Sequence, residues 1–181
     1  ASNCTERDEE TTLHRDPEFD TYTYGEVGTN KRRSLRKLSE GDLLVFYSSL
    51  QPLDGNYPTR LYIIGYFTVD SVHDLEEMTP AEREDVISAY PNNAHIKRDG
   101  LSSDERTPDR DNYPVIVSGY PDRSELLKKA VPLTSPMVSQ ASSWHKKYRP
   151  LSTPNDLLGL NATDLTRSMP KKVRGDPEQI R

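Results

Sequence analysis

Cysteine occurs once, at Cys4, and tryptophan once, at Trp144. One cysteine excludes an internal disulfide. Phenylalanine is scarce, with three residues, and apolar residues make up only 33% of the 181-residue chain. That is still about sixty side chains, enough for one core of moderate size. No apolar run is long enough to span a membrane, so no membrane partner is expected. No signal-peptide pattern is visible either, which points to a cytoplasmic protein. His14, His73, His95 and His145 are dispersed, and no H-x-H, H-E-x-x-H or C-x-x-C occurs, so no metal is expected. There is no G-x-G-x-x-G and no phosphate-loop lysine, so no nucleotide cofactor is expected. A net charge of −5 and a pI near 5.4 exclude a globally basic nucleic-acid-binding module. Any such role must come from a local patch.

What is present is polar and loop-rich. Mean hydropathy is −0.84 and prolines number 14. Asp exceeds Glu and Arg exceeds Lys, a lean towards a salt-adapted, archaeal-like composition. Asn3-Cys4-Thr5 and Asn161-Ala162-Thr163 match the short glycosylation pattern, which arises readily by chance. The chain opens on Ala1 rather than Met, which is compatible with a further strand ahead of it.

The densest apolar sequence lies between Gly41 and Val72. Leu43 to Tyr47 form one apolar run behind a Gly-Asp turn, and Leu61 to Val69 form another, rich in β-branched and aromatic residues. Both read as strands. The link Gln51–Arg60 contains Pro52, Asp54-Gly55-Asn56 and Pro58. It is turn chemistry, too short for a helical crossover, so the pair is predicted to be antiparallel. Apolar residues on both faces predict central, well-covered strands.

Residues 1–20 are polar and read as an irregular N-terminal arm. Thr21–Glu26 is a short β-prone piece. Lys31-Arg32-Arg33-Ser34-Leu35-Arg36-Lys37 is basic, with Leu35 and Leu38 spaced for one amphipathic turn. It reads either as a solvated helix face or as a phosphate-contacting patch. Thr79-Pro80-Ala81-Glu82 has the cap, proline and acid of a helix N-terminus, and the helix is predicted to end near Ala89. Residues 99–112 read as an exposed loop, and Pro114–Gly119 as a strand. Asp122–Glu125 is predicted to cap a helix over Ser124–Ala130, with Leu126, Leu127 and Ala130 inward. Val131-Pro132-Leu133 reads as an edge strand. Asn155–Leu160 and Asn161–Ser168 are candidate short helices.

Several side chains are candidates for chemistry. Tyr22, Tyr24, Tyr47, Tyr62, Tyr66 and Tyr120 fall in or beside predicted strands, where a base could stack on them. The alternative is half-buried core with hydroxyls reaching water. Asn93, His95, Lys97 and Arg98 could contact a phosphate or a base edge, or form a solvated loop. Trp144–Arg149 interleaves aromatics with cations, as single-strand binders do, but reads equally as a packing segment.

Gly41-Asp42, Phe46-Tyr47 and Ile63-Ile64-Gly65 with Val69 resemble the middle of PUA-like folds. In their EVE, ASCH and YTH relatives a "GD…FY" strand precedes an "I-x-G-x-x-x-V" strand. More narrowly, the sequence is similar to nucleotide modification associated domains of type 3 or close to it. The resemblance covers roughly residues 20–135 and carries no catalytic signature onto this chain. It implies an α+β fold: a small mixed β-barrel with flanking short helices, over residues 21–135. A C-terminal extension, 136–181, would pack on the same domain. It also implies use near nucleic acid, often to recognise a modified or flipped base. On that reading Tyr24, Tyr47, Ser48 and Tyr66 line a pocket. Lys31, Arg32, Arg33, Arg36, His95, Lys97 and Arg98 hold the nucleic acid, DNA or RNA, or a modified nucleotide. Two alternatives stand beside it. One is an enzyme acting on nucleotides or modified bases, with Glu26, Asp42 or His95 as acid or base. The other is a protein-interaction domain without a ligand pocket.

Overall fold

A computed structural model describes residues 16–51, 59–98, 113–136, 139–140, 146–160 and 165–166. The elements in chain order are β1 (Thr23–Glu26), α1 (Thr29–Leu35), β2 (Leu43–Leu50), β3 (Arg60–Asp74), α2 (Pro80–Ala89) and α3 (Ala94–Arg98). They continue with β4 (Val115–Gly119), β5 (Glu125–Pro132), β6 (Ser139–Gln140), β7 (Lys146–Tyr148), α4 (Ser152–Leu157) and β8 (Leu165–Thr166). The predicted loop 99–112, the turn residues 52–58, Cys4, Trp144 and His145 lie outside the described residues.

β3 organises everything else. Its first half pairs with β2 on one edge and β5 on the other, and its second half pairs with β4, all antiparallel. β1 adds to the far side of β4, so the strand order is β1-β4-β3-β2. Register breaks occur in β3 at Ile63/Gly65 and at Val69/Ser71, leaving Ile64 and Asp70 unmatched in the ladder. Such bulges bend a strand and increase its twist. The bend is large enough to bring distant strands together. β1 and β2 are three strand spacings apart, about 14 Å in a flat sheet. Yet the rings of Tyr24 on β1 and Phe46 on β2 have centroids only 5.2 Å apart. The fold is α+β: an antiparallel sheet curled into a half-barrel, with short helices around it.

The concave face is filled by aromatics. Phe67 lies 4.6 Å from Phe46, 5.2 Å from Phe19 and 5.7 Å from Tyr22, all edge-on. Edge-to-face packing suits the ring quadrupoles. Phe19 comes from the polar N-terminal arm, and Gly65 makes room for it. A Cβ at Gly65 would lie 2.5 Å from the Phe19 ring and from the Glu125 carbonyl oxygen. Beside the rings, Leu35 of α1 packs with Val69, Val115 and Val117.

Two further clusters flank the sheet. Leu75, Val86, Ile87, Ile96, Tyr113 and Ile116 pack α2 and α3 onto it. α2 starts as predicted: Thr79 and Glu82 form a reciprocal capping box with Pro80 at the first position, which contributes about 1 kcal/mol. Leu61, Leu133, Tyr148, Leu158 and Leu165 form the third cluster, joined by Val45, Tyr47 and Ile63.

Three expectations are corrected. Glu125–Pro132 is one strand, so the helix expected over Ser124–Ala130 does not form, while Val131 and Pro132 lie in an edge strand as expected, since β5 pairs only with β3. β3 leaves the edge at Tyr62–Tyr66 to be paired, and that outweighs the helix-forming composition of the segment. Ser124 caps nothing: its Oγ accepts from the Thr68 amide at 3.1 Å, and Thr68 Oγ1 donates to the Arg123 carbonyl at 2.7 Å. Leu126 is exposed rather than inward, and Leu127 and Ala130 are half-buried. β2 ends the strand order and is mostly half-buried, so it is an edge rather than a central strand. Finally, Leu165 and Thr166, within the candidate helix Asn161–Ser168, form strand β8.

Candidate functional site

Where α1 crosses the edge of the half-barrel, three side chains form one string. Tyr24 stands on β1 with its ring against Phe46, and its hydroxyl donates to Glu26 two residues on. Lys31, from the first turn of α1, donates to the same carboxylate oxygen. The Glu26 side chain is 11% exposed and that of Lys31 is 42% exposed. Burial, reinforced by Glu26, pushes the Tyr24 phenol far up, so it stays a proton donor. The string therefore fixes a phenol, a carboxylate and an ammonium at the rim of an aromatic-lined face.

Two more cations of the basic run are spent on ion pairs within the fold. The Arg32 side chain is 8% exposed, bonds Glu76, and lies 3.8 Å from Asp74. Arg36 bonds Asp74, and its Nη2 reaches Glu76 at 2.7 Å. Arg36 and then Arg32 pull the Glu76 carboxyl below its usual range. These pairs clamp α1 to the end of β3. Arg33 and Lys37 are exposed to solvent.

The other candidates are spread over several surfaces. Tyr47 is half-buried against the C-terminal cluster with Leu61 and Tyr148, and burial raises its phenol. Ser48, the next residue on the strand, faces the opposite side, where it pairs with Tyr62. Tyr66 shares a face with Val45 and Glu125, away from Tyr24. His95 is buried on α3, with Nε2 3.5 Å from Asp16, in a seam against β1. Gly25 permits this approach, since a Cβ there would meet the His95 ring at 3.0 Å. Lys97 is exposed and donates to Asn92 at 3.0 Å. The Arg98 side chain lies outside the described residues. Asp42 closes a turn by accepting from the Ser39 amide at 2.8 Å. The rim thus gathers Tyr24, Glu26 and Lys31, while Tyr47, Tyr66 and His95 lie elsewhere.

One polar group had no signal in the sequence. Ser71 Oγ lies 2.7 Å from His73 Nε2 and 2.7 Å from Ser118 Oγ, and Ser118 donates to Asp70 at 3.2 Å. Ser118 is 47 residues from Ser71 and only the β3–β4 register joins them. Among the described residues no cluster of three or more His, Cys, Asp or Glu is placed to hold a metal. No described helix is long and apolar enough to cross a membrane.

Compared with known proteins, the chain matches no curated protein and no solved structure. A family model described as nucleotide modification associated domain 3 matches residues 1–156. That span holds the half-barrel, the Tyr24–Glu26–Lys31 rim and the His73 cluster, and it ties the chain to a role connected with nucleotide modification. The chain belongs to the nucleotide modification associated domain 3 family.

Proposed function

We propose that the protein is a nucleic-acid-associated binding module that recognises a modified or flipped base at the rim of its half-barrel. The observation that carries this reading is the fixed Tyr24–Glu26–Lys31 string beside Phe46. A splayed base would stack on Tyr24. The Glu26 carboxylate, an acceptor only, would take a hydrogen bond from an exocyclic amino group. Lys31, Arg33 and Lys37 would face the phosphates of DNA or RNA. Tyr47, Tyr66 and His95 have structural roles on this reading. The family membership and the resemblance to PUA-like base readers support it.

Tyr24→Ala should weaken binding of a single-stranded oligonucleotide carrying a modified base by about 5- to 150-fold, the worth of one stacked base. Tyr24→Phe keeps the ring and should cost far less. Equilibrium titration of each variant, with a melting curve to establish folding, checks this. A folded Tyr24→Ala that binds as the parent does overturns the reading.

One observation favours a second reading, an enzyme acting on nucleotides or modified bases. Ser118 commits its single proton to Asp70, so it must accept from Ser71. Ser71 must then accept from Nε2–H of His73. Donor counting thus leaves His73 Nδ1 as the acceptor, and burial lowers the imidazole pKa so that it stays neutral near pH 7. Turnover of a modified nucleotide that is lost in His73→Asn and kept in Tyr24→Phe would decide for this reading.

A further inference from the structure

β3 begins with a cation, Arg60, that no described residue pairs with. Arg60 is half-buried, and its Nε is shielded from solvent without a hydrogen-bond partner. Among the described residues no carboxylate pairs with it, whereas Lys31, Arg32 and Arg36 each have one. Folding normally avoids this, because a desolvated guanidinium N–H without an acceptor is a cost with no return.

The neighbours of Arg60 share its character. Arg60 opposes Leu50 and Tyr62 opposes Ser48 across the β2–β3 ladder. Directly opposed residues lie on one face, and Arg60 and Tyr62, two apart, share it. The intervening residues turn the other way: Leu61 enters the C-terminal cluster, and Ser49 meets the Tyr148 hydroxyl at 3.2 Å. Ser48 is two residues from Phe46, so this face continues the concave floor beyond the aromatic rings. Arg60, Tyr62 and Ser48 therefore stand side by side. The described structure gives none of the three side chains a hydrogen-bonding partner, and a guanidinium, a phenol and a hydroxyl can all donate.

We propose that Arg60, Tyr62 and Ser48 form a binding site for a phosphate-class anion, with the Arg60 fork as its anchor. A phosphate offers acceptors only, and an arginine fork meets two of its oxygens at once. Tyr62 and Ser48 reach the oxygens that remain. The site goes beyond the base-reading rim and does not rest on it, because inorganic phosphate alone can occupy it.

The test is the melting temperature of the full chain and of Arg60→Met and Arg60→Lys. Each is measured at matched ionic strength with added sodium chloride, inorganic phosphate, a nucleoside 5′-monophosphate, or the same nucleoside without phosphate. Phosphate and the monophosphate should raise the melting temperature of the parent, and the nucleoside should not. Arg60→Met should lose about 10- to 100-fold in phosphate affinity, the range of one charge-assisted contact, with Arg60→Lys intermediate. In sodium chloride alone, Arg60→Met should melt roughly 1–4 °C higher than the parent, since it removes a desolvated donor. A residue that served only packing would melt lower when truncated. A stronger response to the monophosphate than to phosphate identifies a nucleotide as the source, and equal responses identify free phosphate. Equal phosphate stabilisation of parent and Arg60→Met, or none in the parent, overturns the proposal.

Discussion

Phe67→Ala should destabilise the protein by about 3–5 kcal/mol, the cost of emptying a buried aromatic site, and lower its melting temperature by about 6–20 °C. The reason lies in what Phe67 joins. It is fully buried, and its ring meets Phe46 of β2, Phe19 of the N-terminal arm and Tyr22 just before β1. Removing it opens a void between segments that the curl alone brings together. The void cannot collapse readily, because the Phe19 ring already sits close over Gly65 of β3. Leu126→Ala, at a 54% exposed position on β5, provides the contrast and should stay within about 0.5 kcal/mol. Chemical denaturation of both variants checks the pair. Similar small losses in each would mean that the aromatic cluster does not hold the half-barrel closed.

Arg32→Glu should be comparably damaging, at about 3–5 kcal/mol, because it leaves a buried charge without its partner. The new carboxylate would face Glu76 and Asp74, with Arg36 left to neutralise all three. Arg33→Glu, one residue along on the exposed side of α1, should change stability by no more than about 0.5 kcal/mol. Thermal melts of the two single variants separate these outcomes. Read as a basic run alone, Lys31–Lys37 suggests that reversing Arg32, Arg33 and Arg36 together would remove nucleic-acid binding and spare the fold. The ion pairs predict otherwise: that triple variant reports on unfolding, and Arg33→Glu is the informative charge reversal. Loss of binding without loss of stability in Arg32→Glu would contradict the clamp.

Local chemistry made part of this fold legible. The β2–β3 pair follows from two apolar runs joined by proline, glycine and asparagine, and the start of α2 follows from Thr79, Pro80 and Glu82. Both signals act over a few residues. The features that were not legible depend on partners far along the chain. Phe19 sits in a polar arm, and Gly65 is what lets its half-buried ring reach the sheet. Arg32 and Arg36 look like free cations until Asp74 and Glu76, about forty residues on, are brought beside them. Glu125–Pro132 carries leucine, lysine and alanine, good helix formers, but the edge of β3 makes it a strand. Of the candidate site, Tyr24, Glu26 and Lys31 could be read as neighbours because all lie within eight residues. The placement of Tyr47 and Ser48 could not, because strand alternation sends adjacent residues to opposite faces. The His73 cluster was hidden by the bulge at Asp70, which sets the register that brings Ser71 opposite Ser118.

Backbone hydrogen exchange, with and without a saturating single-stranded oligonucleotide bearing a modified base, tests the base-reading rim most directly. Exchange should slow at Thr23–Glu26 and Thr29–Leu35, the segments that carry Tyr24, Glu26 and Lys31, and the slowing should vanish in Tyr24→Ala. Protection confined to the opposite face, around Val45, Tyr47 and Tyr148, would contradict a site at that rim.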